Sequence, residues 1–244
     1  MTPPGSRARA ARVLLALFAV TAAVHLAGLL TVAAAGTNGG AGAVADTVVH
    51  LTKPALMPLL AVHVLLRGGP PLLAVALLFG CGGDTLLQIG GDTLFLLGMG
   101  SFAAGHVCYL VLSARHRTPA GGWRSRIRAA GGAYAIAWAA TVALLWPDLP
   151  DELRIPVAGY SLLLTAMAFG TLRAGGRAAL GGLLFLLSDT LIATGIAHWP
   201  QLPAPQFWIM LTYIAGQYAL ADGLRRAATR TATGPAPAPA PAPA

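Results

Sequence analysis

PPLLAVALLFGCGGDTLLQI, residues 70–89, is a run long enough to cross a bilayer, and it carries one carboxylate, Asp84, near its end. A carboxylate among Leu, Val, Ala and Phe costs a few kcal/mol in hydrocarbon on insertion scales. It is kept only where it faces a bundle interior or a wet cavity and has a partner. A second acid, Asp189, sits in the same setting in Leu186-Leu187-Ser188-Asp189-Thr190-Leu191. One cation, Lys53, precedes Pro54 in a third apolar run. Two acids and a lysine inside apolar runs predict a helical membrane bundle with its functional site at those three residues.

The composition agrees. Of 244 residues, 56% are hydrophobic and 10% charged, and the mean hydropathy is +0.69. A soluble domain carries about 25% charged residues, so the chain reads as an integral membrane protein of the all-α class. The net charge of +8 does not point to nucleic acid, because the arginines fall in short connections between apolar runs. Cys81 and Cys108 lie inside apolar runs without CxxC spacing and read as small core residues. Abundant Gly and Ala suit helices that pack closely through small faces.

Eight spans can be marked, at 13–35, 46–66, 70–90, 93–113, 128–146, 155–172, 178–198 and 205–223. The expected organisation is a basic N-terminal segment (1–12), an eight-helix transmembrane domain (13–224) and a disordered Pro-Ala-rich tail (225–244). The run 13–35 resembles a signal peptide but is longer than the core of one, and is read as a retained first helix. Pro70, Pro147, Pro150, Pro156, Pro200, Pro203 and Pro205 are read as punctuating helix ends. Every arginine except Arg154 falls on one side of this topology, which predicts both termini in the cytoplasm of a plasma-membrane protein.

Counting down from the outer ends at 1.5 Å per residue places Lys53 about 10 Å deep, Asp84 about 9 Å and Asp189 about 13 Å. Tyr213 falls at about 12 Å, with Gln217 and His106 at about 18–20 Å. Gln88 is four residues from Asp84, Gln217 four from Tyr213, and Tyr109 three from His106, so each pair shares a helix face. Gly98, Ser101, Gly105 and Cys108 form a small-residue stripe. Ser188 lacks the GxSxG elbow of a serine nucleophile. His25 and His63 read as structural, and His198 with Trp199 as part of an interfacial belt. A lone lysine can also reach the interface along its stem, and a tyrosine or glutamine in a bundle can be an interhelical hydrogen-bond group.

Several short motifs, in order over most of the chain, carry a resemblance. They are Lys53-Pro54, Leu78-Phe79 through Gly83-Asp84, and Phe95 through Phe102 followed by His106 and Tyr109. Gly182 through Phe185, Ser188-Asp189-Thr190-Leu191 and Tyr213 through Gln217 complete them. In these the chain resembles the YhhN-like lysoplasmalogenases, whose animal members are multi-span membrane enzymes. The resemblance implies about eight helices, no cofactor, and hydrolysis of the vinyl ether of a lysoplasmalogen or related single-chain lipid to a fatty aldehyde and a glycerophospho-ethanolamine or -choline.

The residues suit that chemistry. Protonating the outer alkene carbon gives an oxocarbenium ion that water captures, so one carboxyl must hold a proton and one must be an anion. Asp84 and Asp189 are the expected catalytic pair. Lys53, His106, Tyr109, Tyr213, Gln217, Ser188 and Gln88 are expected to tune charge or bind substrate, with no metal. The lipid tail is expected to run past Gly98, Ala104 and Gly105. Which Asp is the acid, and the oligomeric state, are not legible at this level. Three other readings of the residues are weighed: a proton- or cation-coupled transporter, which would bring inverted repeats that are not evident, a metal-dependent hydrolase using His106 with the two acids, for which the paired His spacing of a zinc site is lacking, and a non-catalytic lipid-binding membrane protein.

Overall fold

Each apolar run closes its backbone hydrogen bonds within itself, as hydrocarbon demands, and becomes one α-helix. The computed structural model describes residues 4–115 and 123–232. The helices are α1 (Pro4–Ala35), α2 (Gly40–Leu66), α3 (Pro71–Ile89), α4 (Asp92–Ala114), α5 (Trp123–Leu145), α6 (Asp151–Thr171), α7 (Gly176–Ile196) and α8 (Pro205–Ala232). There is no strand among the described residues. Seven helices, all but α8, are long and apolar enough to cross a membrane, and the chain is a multi-pass membrane protein. α8 has the length, 28 residues, but carries Tyr213, Gln217 and Asp222 along it. Tyr213 and Gln217 are buried, so the polarity that sets α8 apart is turned into the bundle.

Several ends differ from the sequence reading. α1 begins at Pro4, inside the basic segment, and α2 begins at Gly40. α6 starts at Asp151, which puts Pro156 inside the helix instead of at its end. α8 continues through residues 225–232, because Asp222 pairs with Arg225 and Arg226 three and four residues on, as well as with Arg177 of α7. The Pro-Ala repeat at 235–244 and Arg117 lie outside the described residues.

Two helix pairs build the platform for the site. Pro54 and Pro58 lie within α2, and each removes a donor from the helical ladder. α3 supplies the missing donors. Gln88 Nε2 donates to the His50 carbonyl at 2.9 Å, and Cys81 Sγ donates to the Pro54 carbonyl at 3.2 Å. The lysine between these two carbonyls is thereby clamped against α3. On the other side α7 and α8 meet backbone to backbone. A Cβ at Gly181 would lie 2.4 Å from the Leu220 nitrogen, so this contact fixes Asp189 of α7 relative to Tyr213 of α8.

The stripe on α4 packs on α3. A Cβ at Gly98 would lie 2.1 Å from Leu87 Cδ1, and one at Gly105 would lie 3.1 Å from the Ala76 carbonyl. The space beside these glycines is filled by helix, so the lipid-tail route expected past Gly98 and Gly105 is closed. Small residues there serve close packing. α5 is the least embedded helix, with 6% of its apolar window buried.

Candidate active site

In an up-and-down order of helices the connections at 36–39, 90–91, 146–150 and 197–204 fall on one face, the one with few arginines, and two of them meet where Trp199 Nε1 donates to Asp148 Oδ2 at 2.7 Å. A cavity of about 300 Å³ opens below that face. Lys53, Asp84, Tyr160, Ser188, Asp189 and Tyr213 all line this cavity. The shared layer inferred from residue counting thus corresponds to one chamber.

Asp84 is buried, and two donors hold it. Lys53 Nζ stands 3.7 Å from Oδ1, and the Tyr213 hydroxyl donates to Oδ2 at 2.8 Å. Lys53 begins deeper than the sequence reading put it, since α2 starts at Gly40 and not at 46, about 20 Å above it by helical rise. Side chains in a helix lean toward its N-terminus, and this brings the ammonium back up to the level of Asp84. Behind Tyr213 the hydrogen bonds continue. Gln217 Nε2 donates to the Tyr213 oxygen at 3.3 Å, and the Tyr109 hydroxyl donates to Gln217 Oε1 at 2.6 Å. Gly80 makes room for this chain, because a Cβ there would come within 3.0 Å of Gln217 Nε2 and 3.1 Å of the Tyr213 oxygen.

Asp189 is half-buried and faces the cavity from α7. Its partner is the hydroxyl of Tyr160 on α6, which donates to Oδ2. The Tyr160 oxygen in turn meets His106 Nε2 at 3.1 Å. With the hydroxyl proton committed to Asp189, His106 carries its proton on Nε2. His106 Nδ1 is buried and without a hydrogen-bond partner among the described residues, and the imidazole packs at 78° to the Phe185 ring. No ion pair reaches Asp189 among the described residues.

The other sequence candidates fall into place around these two arms. Tyr109, Gln217 and His106 do not line the cavity but stand behind the groups that do. Ser188 lines it, with its hydroxyl donated to the Ile209 carbonyl at 3.0 Å. Gln88 is outside it and serves α2. His25 and His63 bond within the bundle, His25 to Thr52 and His63 to the Ala11 carbonyl. Among the described residues no group of three or more His, Cys, Asp or Glu could hold a metal ion.

Tyr160 and Arg154 are cavity residues that the sequence reading did not place in the site. The observed start of α6 is what places Tyr160 in the site. It lies nine residues into α6 from Asp151, about 13 Å down by helical rise, in the layer of Asp189. A carboxyl beside a cation and a second carboxyl beside a hydroxyl, in a chamber lined mainly by apolar side chains, make an arrangement suited to proton transfer.

The sequence profile of the YhhN family matches residues 48–224. The pig (Sus scrofa) protein named lysoplasmalogenase TMEM86B is 33% identical over 171 residues, which cover 68% of this chain and 71% of that protein. The Mycobacterium tuberculosis protein named lysoplasmalogenase is 34% identical over 161 residues, covering 62% of this chain and 59% of the other. Human lysoplasmalogenase TMEM86B is 34% identical over 138 residues, 56% of this chain and 57% of that one. The match therefore spans less than two thirds of the mycobacterial and human proteins. No solved structure matches the chain.

Proposed function

This chain belongs to the YhhN family, and from that premise we propose that it is a membrane hydrolase cleaving the vinyl ether of a lysoplasmalogen, a single-chain lipid, to a fatty aldehyde and a glycerophospho alcohol. The observation that carries the reading is the pair of carboxyl groups in one apolar cavity with unlike partners, Lys53 and Tyr213 on Asp84 and Tyr160 on Asp189. The names of the relatives point to the same chemistry.

In this reading Asp84 is the carboxylate, because an ammonium stands beside it, and Asp189 is the acid, with Tyr160 on Oδ2 and Oδ1 left to carry the proton. Asp189 gives that proton to the outer alkene carbon, and the double-bond electrons move to form an oxocarbenium ion next to anionic Asp84. Water adds to the cationic carbon as Asp84 takes one of its protons, giving a hemiacetal. Asp84 then returns that proton to the ether oxygen as the C–O bond breaks. The hemiacetal hydroxyl proton passes to Asp189, which restores both groups. The steps sum to one water consumed per ether cleaved.

The tail leaves the cavity between α4 and α5, past Met99, Thr141 and Val142, where the weakly embedded α5 lies beside the bilayer. The arginine-rich face is cytoplasmic, with both termini, in the plasma membrane. A membrane-impermeant thiol reagent should then label Gly39→Cys from outside and leave Gly175→Cys unlabelled. The function itself is tested with purified protein in detergent given a 1-alkenyl-glycerophosphoethanolamine, with aldehyde measured with and without a chelator. Chelator-resistant aldehyde release supports the two-carboxylate hydrolase. No aldehyde at any protein concentration would contradict it, and loss of activity with the chelator would move the chemistry to a metal.

A further inference from the structure

The cavity has two cationic side chains in its lining, and only one is used by the chemistry. Lys53 is committed to Asp84. The other is Arg154, in the first turn of α6, and it stands on the lining at the end toward the 146–150 and 197–204 connections. It is also the one arginine that falls on the side opposite the rest, so its position is not explained by the rule that places the others.

Its guanidinium is fixed in place. Nε donates to the Trp146 carbonyl at 2.9 Å, and Nη2 approaches the Pro147 carbonyl at 3.4 Å. Nη1 meets Asp151 Oδ1. A guanidinium has five N–H groups, so one on each terminal nitrogen is left over. Such a pair of N–H groups on a planar fork matches two oxygens of a phosphate. Asp151 is 84% exposed, while the Arg154 side chain is 29% exposed, so the carboxylate is well hydrated and is a weak competitor for an anion delivered from the cavity side.

The spacing suits one molecule. Arg154 and Tyr160 are six residues apart on α6, about 9 Å by helical rise, and Tyr160 touches Asp189. In a 1-alkenyl-glycero-3-phospho lipid, seven bonds separate phosphorus from the outer vinyl carbon, the one that Asp189 protonates. At the roughly 3.3–3.6 Å that three backbone bonds span in an extended chain, seven bonds reach about 8 Å. A phosphate on the Arg154 fork therefore puts the vinyl ether at the level of Asp189, with the tail pointing deeper.

We propose that Arg154 is the residue that recognises the phosphodiester of the single-chain substrate, and so sets which lipids enter the site and how deep they sit. This rests on the hydrolase reading above for the identity of the substrate, but the test does not need turnover. Binding of 1-acyl-lysophosphatidylethanolamine and of the matching monoacylglycerol, neither of which has a vinyl ether, is measured on wild type, Arg154→Gln and Arg154→Lys in detergent. Wild type should prefer the phospholipid by about 10- to 100-fold. Arg154→Gln should lose that preference while binding monoacylglycerol as wild type does, and Arg154→Lys, a point charge without the fork, should keep part of it. Asp151→Asn should bind the phospholipid at least as tightly as wild type. Equal binding of the two lipids by wild type, or variants that weaken both lipids alike, would overturn the assignment. Failure of wild type to release aldehyde, with the phosphate preference intact and dependent on Arg154, would strike the hydrolase reading and leave this one standing.

Discussion

The surroundings of Asp84 and of Asp189 differ in kind, although both open on the same cavity. Around Asp84 three helices converge, bringing an ammonium from α2 and a phenol from α8, with Gln217 and Tyr109 lined up behind the phenol. Around Asp189 there is one phenol from α6 with an imidazole behind it, and the carboxyl is half open to the cavity. Asp84 is held by partners that favour an anion. Asp189 has one donor and a free oxygen facing where substrate would lie. The difference teaches that a buried acid pair gains two roles from what stands beside each member, not from the acids themselves.

The largest expected effects come from removing each carboxyl charge, and they should differ in a second readout. Asp84→Asn and Asp189→Asn should each lower aldehyde release by about 10²- to 10⁴-fold. Asp84→Asn also leaves Lys53 buried without its counter-ion, which costs about 3–5 kcal/mol and should lower the melting temperature in detergent. Asp189→Asn keeps an acceptor for Tyr160 and should melt like wild type. Equal thermal loss in the two variants would erase the contrast.

The next effect sharpens the same point. Lys53→Met combined with Asp84→Asn replaces a buried ion pair by neutral groups, and such replacements are often neutral or stabilising. The double variant should regain the stability that Asp84→Asn loses, without regaining activity. If it melts as low as the single variant, Lys53 and Asp84 are not the coupled pair that the geometry indicates.

Smaller effects separate the two phenols. Tyr160→Phe takes the only hydrogen-bond partner of Asp189 among the described residues and should lower kcat about tenfold, with KM little changed. Gln217→Leu leaves the Tyr109 hydroxyl buried without an acceptor, and should cost about 1–3 kcal/mol of stability with little change in kcat. Turnover lost in Gln217→Leu and kept in Tyr160→Phe would exchange the roles assigned to the two arms.

What could be read from the sequence follows from cost. Asp84, Asp189 and Lys53 were legible because a charge in an apolar run is expensive wherever it sits, although counting residues from the helix ends put Lys53 too shallow, and its ammonium reaches Asp84 through the lean of the side chain. Tyr160 was not, because a tyrosine in a membrane helix is cheap and common. Gln88 shares a helix face with Asp84, as its spacing requires, yet its amide serves the carbonyl that Pro54 leaves open, a need visible only once α2 and α3 are side by side. Gly98 and Gly105 were read both as a close-packing stripe and as room for a tail, since a small residue signals either, and α3 occupies the space. Arg154 looked like an outer-loop charge until the start of α6 at Asp151 drew it onto the cavity wall.

The division of roles between the acids is open to infrared spectroscopy, since a protonated carboxylic acid has a carbonyl stretch separate from that of a carboxylate. At neutral pH the wild-type protein should show this band. It should vanish in Asp189→Asn and persist in Asp84→Asn, because the proton is held where no ammonium stands beside the carboxyl. A band that survives in Asp189→Asn and disappears in Asp84→Asn would place the proton beside Lys53 and contradict the account.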